Sequence, residues 1–201
     1  MVYGKESRPY EAKFIQPTGY SYNLNEEMIA KVAEEFAPEE VAARLAQVIQ
    51  EKPREEIAES ARVMFSEFGQ RWIRRCYQLG EEYPDRTYEV IRESVDRTGE
   101  FVFPFIGQRA IEIAYLATQD LYTIPVEENN RNRLVYRVDD CRYYEAITAK
   151  NGPEIAKLLT CRHGCLAAAE TVFEDLDQKV TAEMLSEMPL DGCCRFAVSK
   201  I

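Results

Sequence analysis

Five of the six cysteines fall in the last third of the chain, from Leu134 to Ile201, and the pattern around them limits what this protein can fold into. Leu134, Tyr136 and Val138 alternate with polar Arg137 just ahead of Cys141, the period of a half-buried strand. Asn151-Gly152-Pro153 stops one element and starts the next, with Pro153 suited to the first turn of a helix. Ile155, Leu158, Leu159, Leu166, Ala169, Val172, Phe173 and Leu176 then recur at helical spacing, which predicts one helix over 153–177. Cys161 and Cys165 sit one turn apart on its flank, near neither end. Beyond Asp177 the pattern shortens to alternating runs, Val180, Ala182, Met184 and then Cys194, Phe196, Val198. Pro189-Leu190-Asp191-Gly192 between them predicts a hairpin. Cys194 shares the inward face with Phe196 and Val198, and Cys193 points the other way. Such an arrangement gathers Cys141, one or both helix cysteines and Cys194 around one pocket.

Ahead of this region the chain reads as helical. Residues 1–23, with four tyrosines and two prolines, form either an extended arm packed on the body or on a second subunit of a homodimer, or a partly disordered terminus. Residues 24–128 hold the helices. Met28, Ile29, Val32 and Phe36 follow Asn25, and Pro38 opens a helix with Val41, Leu45, Val48 and Ile49. Pro53 opens the longest, whose stripe runs Ile57, Ala61, Met64, Phe65, Phe68, Trp72, Cys76. Cys76 is read there as a small core residue. Pro84 begins a helix ended by Gly99, and another covers 107–121. The aromatic run 101–106 either lines a ligand pocket or is plain core. Thr123-Ile124-Pro125-Val126 is read as an edge strand, and Glu127–Asn130 as a polar loop marking the seam before the cysteine-rich residues 129–201. The predicted class is α+β: a helical N-terminal half, then a small antiparallel sheet packed on a long helix.

A formal charge of −10 disfavours nucleic acid and anionic membrane as partners. No apolar run approaches a membrane span, no leader pattern precedes Tyr3, and six cysteines in 201 residues are too few and uneven for a disulfide scaffold. The expectation is a cytoplasmic protein with reduced thiols. No Walker loop, dinucleotide fingerprint, nucleophile elbow or H-E-x-x-H occurs. Cys161-x-His163-x-Cys165 resembles a metal knot or a Cys-His catalytic dyad, but on a helix His163 points away from the two cysteines. The cysteines therefore keep three readings: buried structural thiols, a zinc or iron–sulfur site made by Cys141, Cys161, Cys165 and Cys194, or a nucleophilic thiolate steadied by Arg142, Arg162 or Arg195.

Val138-Asp139-Asp140-Cys141, then Cys161 with a helix after it, then Asp191-Gly192-Cys193-Cys194-Arg195-Phe196 resembles the L-2-amino-thiazoline-4-carboxylic acid hydrolase family. The closing hairpin is also similar to 4-vinyl reductase type small-molecule-binding domains. The resemblance covers roughly residues 134–198. It implies an α+β fold of that type and, by position, a site at Cys141, Cys161 and Cys194, with Asp139 or Asp140 as base. Two activities follow from it: hydrolysis of a C–N bond in a small thiazoline or amidine ring, or non-catalytic binding of a small molecule, a metal or an iron–sulfur centre. Two positions depart from the family pattern. Gly164 stands where an acidic residue is expected three after the helix cysteine (Ala168 if Cys165 is the counterpart), and Arg195 replaces a carboxylate after the last cysteine.

Overall fold

The computed structural model describes residues 17–98 and 105–201. Five helices come first: α1 (Glu26–Glu35), α2 (Pro38–Ile49), α3 (Arg54–Glu82), α4 (Thr87–Thr98) and α5 (Phe105–Thr118). Their starts follow local chemistry. The Asn25 side chain accepts from the backbone N–H groups of Glu27 and Met28, capping α1. Pro38 takes the first position of α2, and Asp85 accepts from the Thr87 N–H at the head of α4. That last helix thus starts three residues later than Pro84 suggested. Residues 101–104 of the aromatic run, and 1–16 of the arm, lie outside the described residues. The described end of the arm packs on the body, with Ser21 N–H donating to the Tyr122 carbonyl at 2.9 Å.

The second half runs β1 (Val126–Asn129), β2 (Arg133–Asp139), α6 (Arg142–Asn151), α7 (Pro153–Ala156), α8 (Arg162–Asp175), β3 (Val180–Ser186), α9 (Met188–Asp191) and β4 (Cys193–Lys200). The four strands form one antiparallel sheet in the order β1-β2-β4-β3. In its register Tyr136 faces Phe196 and Val138 faces Cys194. Leu134, Tyr136, Val138, Cys194, Phe196 and Val198 therefore share one buried face, as the alternation required, because a one-residue slip would expose the whole set. Helix α8 packs against β3 and β4 and also along α3. The apolar core is continuous from Leu24 to Val198 and draws on both halves. The fold is α+β, with a helical N-terminal half and a small antiparallel sheet.

Three local expectations are corrected. The helix expected over 153–177 is two: α7 is a single turn, residues 157–161 form tight turns, and α8 begins at Arg162. The break lies at Leu159, whose φ of 47° is left-handed and cannot continue a right-handed helix. Leu158 is thereby exposed while Leu159 is buried. The edge strand covers 126–129, so Glu127–Asn130 is mostly strand rather than loop. Glu127 lies there because Arg137 of β2 and Arg195 of β4 both ion-pair with it. The hairpin closes through the one-turn α9 and a left-handed Gly192 (φ 73°) instead of a two-residue turn.

Candidate functional site

One cavity lies where α3, α5, α6, α8 and the sheet converge, and Cys141, Cys161, Cys165 and Cys194 all line it. Each cysteine arrives by a different local device. Cys141 is the N-cap of α6, without a side-chain cap hydrogen bond, and its side chain is buried. Cys161 is the N-cap of α8, which corrects its expected place in mid-helix. The correction follows from the break at Leu159. Cys165, one turn on, shares the Cys161 face. Cys194 is the inward residue of β4, buried and opposite Val138 of β2. Cys193 faces outward, 3.6 Å from the Ser186 hydroxyl. Cys76 is fully buried in the α3 core stripe and is not part of the lining.

The rest of the wall is largely aromatic. Phe68 and Trp72 stack with centroids 5.5 Å apart, and Trp72 meets Tyr115 and Tyr143 edge-on at 5.3 and 5.7 Å. Tyr143 is held by its hydroxyl, which donates to the Phe36 carbonyl at 2.7 Å. Leu159 and Met184 complete the apolar side. The cavity has a volume of about 20 Å³, within about 500 Å³ of atom-free space that includes its mouth to solvent. The closed part accommodates one water-sized molecule.

Among the described residues the lining contains neither a carboxylate nor an imidazole, and its one charged side chain is Arg162. That guanidinium donates to Glu187 at 3.1 Å. Burial in this apolar setting pushes the thiols of Cys141, Cys161 and Cys165 up and that of Cys194 up to about 12. At neutral pH these are protonated thiols.

The carboxylates proposed as base lie elsewhere. Asp140 is exposed, and Asp139 pairs with Arg137 at 3.0 Å; neither lines the cavity. Of the three arginines, Arg142 turns to Asp120 and Arg195 to Glu127, leaving only Arg162 at the site. His163 is partly buried outside the cavity, where burial and the neighbouring Arg162 hold its pKa down. Among the described residues no group of three or more histidine, cysteine or acidic side chains is placed to hold a metal ion, so the four cysteines share a cavity without forming a ligand set. No helix of the described residues is long and apolar enough to cross a membrane.

Gly164, which departs from the expected acidic position, has a packing reason. A β-carbon there would meet the Phe65 carbonyl oxygen at 3.2 Å and the Phe68 ring at 3.3 Å, so an acidic side chain at 164 would collide with α3. By their spacing Phe68 and Trp72 read as core of the α3 stripe, and nothing in the pattern marks Tyr115 or Tyr143. Tyr143 stands two residues after Cys141, and that adjacency was the available signal. No family model matches the chain, and no curated protein matches it.

Proposed function

We propose that this protein is a small-molecule-binding module whose apolar ligand enters by the mouth of the cavity between α3, α8 and the sheet and widens its water-sized closed part, without bond-breaking chemistry. The observation that carries this reading is the make-up of the wall: aromatic rings and protonated thiols, no carboxylate or imidazole, and an arginine already paired. General acid–base chemistry needs a titrating group within reach of the substrate, and a thiol nucleophile needs its thiolate. Apolar binding needs neither. Trp72 is the only tryptophan and lines the cavity, so its fluorescence reports the site. Titration of the full chain with small aromatic compounds should give a saturable change in emission and raise the Tm. Phe in place of Cys165 should abolish both by filling the space. Absence of any response across such a series would overturn the reading.

One observation favours hydrolysis as a second reading. Cys141 caps the N-terminus of α6, and a helix N-terminus steadies a thiolate once formed. Under this proposal the Cys141 thiol, with Cys161 and Cys194 beside it, adds to the amidine carbon of a thiazoline-type ring as its proton passes to the ring nitrogen, the C–N bond breaks with that nitrogen leaving as an amine, and water then displaces the thiol. Ring opening by the wild-type protein, lost in Cys141→Ala with the fold intact, is the result that would replace the binding reading with this one.

A further inference from the structure

The sheet ends on two edge strands, β1 and β3. A free edge carries backbone N–H and carbonyl groups ready to pair with another strand. β1 is blunted: it is four residues long, includes Glu127 and Glu128, and its register shifts between Val126 and Glu128. β3 is seven residues long, holds no proline, and pairs with β4 without a break from Val180 to Met184. Two bonds show which of its backbone groups are free. Ile201 N–H donates to the Lys179 carbonyl at 3.1 Å, and Lys200 N–H turns the other way, to the Asn132 carbonyl at 2.9 Å. Backbone groups of an antiparallel strand alternate sides in this manner. Lys179, Thr181 and Glu183 therefore bond toward β4, and the backbone groups of Val180, Ala182 and Met184 face outward. Among the described residues no other backbone is bonded to that side.

From this register we infer that the β3 edge is an interface with a second copy of the chain, the two β3 strands pairing antiparallel across a twofold axis at Thr181. The two sheets then join into one. Charge selects the register. Pairing about Glu183 sets that carboxylate against its own copy, and like charges directly opposite destabilise a strand pair. Pairing about Ala182 leaves Lys179 opposite Leu185. Pairing about Thr181 places Lys179 of each copy opposite Glu183 of the other, sets Thr181 against Thr181, and lets Val180 and Ala182 exchange backbone bonds across the axis. Lys179, Thr181 and Glu183 are all exposed on one face. Glu183 has one ionic neighbour in its own chain, Arg133 at 3.5 Å, and Lys179 is ion-paired with no described residue. Opposite-charge and Thr–Thr pairs both favour an antiparallel contact. Such a contact is isologous and closes as a dimer.

Sedimentation equilibrium of the full chain at micromolar concentration should give twice the 23.2 kDa of one chain. Lys179→Glu and Glu183→Lys each set like charges opposite one another across the axis and should weaken the dimer roughly tenfold or more. The double reversal restores opposite charges and should recover wild-type association, a rescue that damage to the monomer fold does not produce. Ala182→Pro removes an outward N–H, which an edge strand tolerates, and should give a monomer with an unchanged far-ultraviolet circular dichroism spectrum. Should that variant misfold, the charge reversals decide alone. A monomeric wild type would overturn the inference. A dimer that the single reversals leave intact would overturn it too, since it forms through another face.

Discussion

Gly69 of α3 and Gly164 of α8 meet backbone to backbone: a β-carbon on Gly69 would lie 2.0 Å from the Gly164 carbonyl oxygen. This contact lets α8 lie close along α3, and it sets the width of the cavity that Cys161 and Cys165 of α8 share with Phe68 and Trp72 of α3.

Gly69→Ala should therefore destabilise the protein. In an open helix the same change gains about 0.5–1 kcal/mol, whereas overpacking against a rigid backbone costs about 1–3 kcal/mol or more. The expected sign is a loss, read as a lower urea midpoint with an unchanged slope. Gly164→Ala should cost less, because its nearest contacts are 3.2 and 3.3 Å. A Gly69→Ala protein as stable as the wild type would mean that the two helices are not in backbone contact.

The cavity thiols make stability fall in alkali. A thiol with a raised pKa in the folded state holds its proton there after the unfolded chain has released it. Its contribution is complete below the unfolded value of about 8.5 and is lost as pH rises toward the folded one, about 12 for Cys194. Each such thiol adds up to about 1.4 kcal/mol per pH unit to the downward slope in that window. Denaturation midpoints measured from pH 7 to 11 should stay level and then fall. Cys194→Ala should flatten the fall, whatever it does to stability at pH 7. A slope that the substitution leaves unchanged would show that the Cys194 thiol is solvated.

Arg109 of α5 and Asp85 form an ion pair with side chains only 8 % and 7 % exposed. Arg109 also donates to the Gly80 carbonyl at 2.5 Å, and Asp85 holds the Thr87 N–H at the head of α4. Asp85→Ala leaves a guanidinium buried without its counter-charge, which costs about 3–5 kcal/mol. Adding Arg109→Met should recover much of that loss, since the stranded charge goes with it. A double variant no more stable than Asp85→Ala would place the cost in the lost α4 cap instead of in the charge.

How much of this was legible in the sequence depends on whether a signal was periodic or cooperative. The sheet face of Leu134, Tyr136, Val138, Cys194, Phe196 and Val198 was readable, because alternation forces all six to one side. The gathering of four cysteines into one cavity followed from it. The break at Leu159 was not readable. Leu158 and Leu159 fit a helical stripe, and only tertiary packing decides that Leu159 turns left-handed to fill the cavity wall. The N-cap position of Cys161 was lost with it. Glu127 as a strand residue was hidden for a similar reason: its acidic side chain suits a loop until Arg137 and Arg195 are brought beside it by pairing of β2 with β4. Trp72 was legible as core. Its place in the cavity wall was not, since that depends on what surrounds it.

Glu112 of α5 carries the last prediction. It is 4 % exposed, and burial raises its pKa against the pull of two donors, Ser21 Oγ and Gln108 Nε2. Gln108 in turn accepts from Asn129 at 2.8 Å, so the network ties the described end of the arm to α5 and β1. A carboxyl raised in the folded state favours folding fully below its unfolded value, and that contribution is lost as pH rises through the folded one. At neutral pH Glu112 is therefore a buried group on the costly side of its titration. Glu112→Gln removes the ionisable group and keeps the bonds: its carbonyl accepts from Gln108 and its amide donates to the Ser21 oxygen. The variant should melt roughly 2–4 °C higher at pH 7.5, the response of a domain this size to a change on the order of 1 kcal/mol. The gain should shrink toward pH 4, where the carboxyl of the unfolded chain also takes up its proton. Glu112→Ala, which strands Ser21 and Gln108, should melt lower than the wild type at both pH values. A Gln variant that loses stability at pH 7.5 would mean that the ionised carboxylate is what the two donors are built to hold.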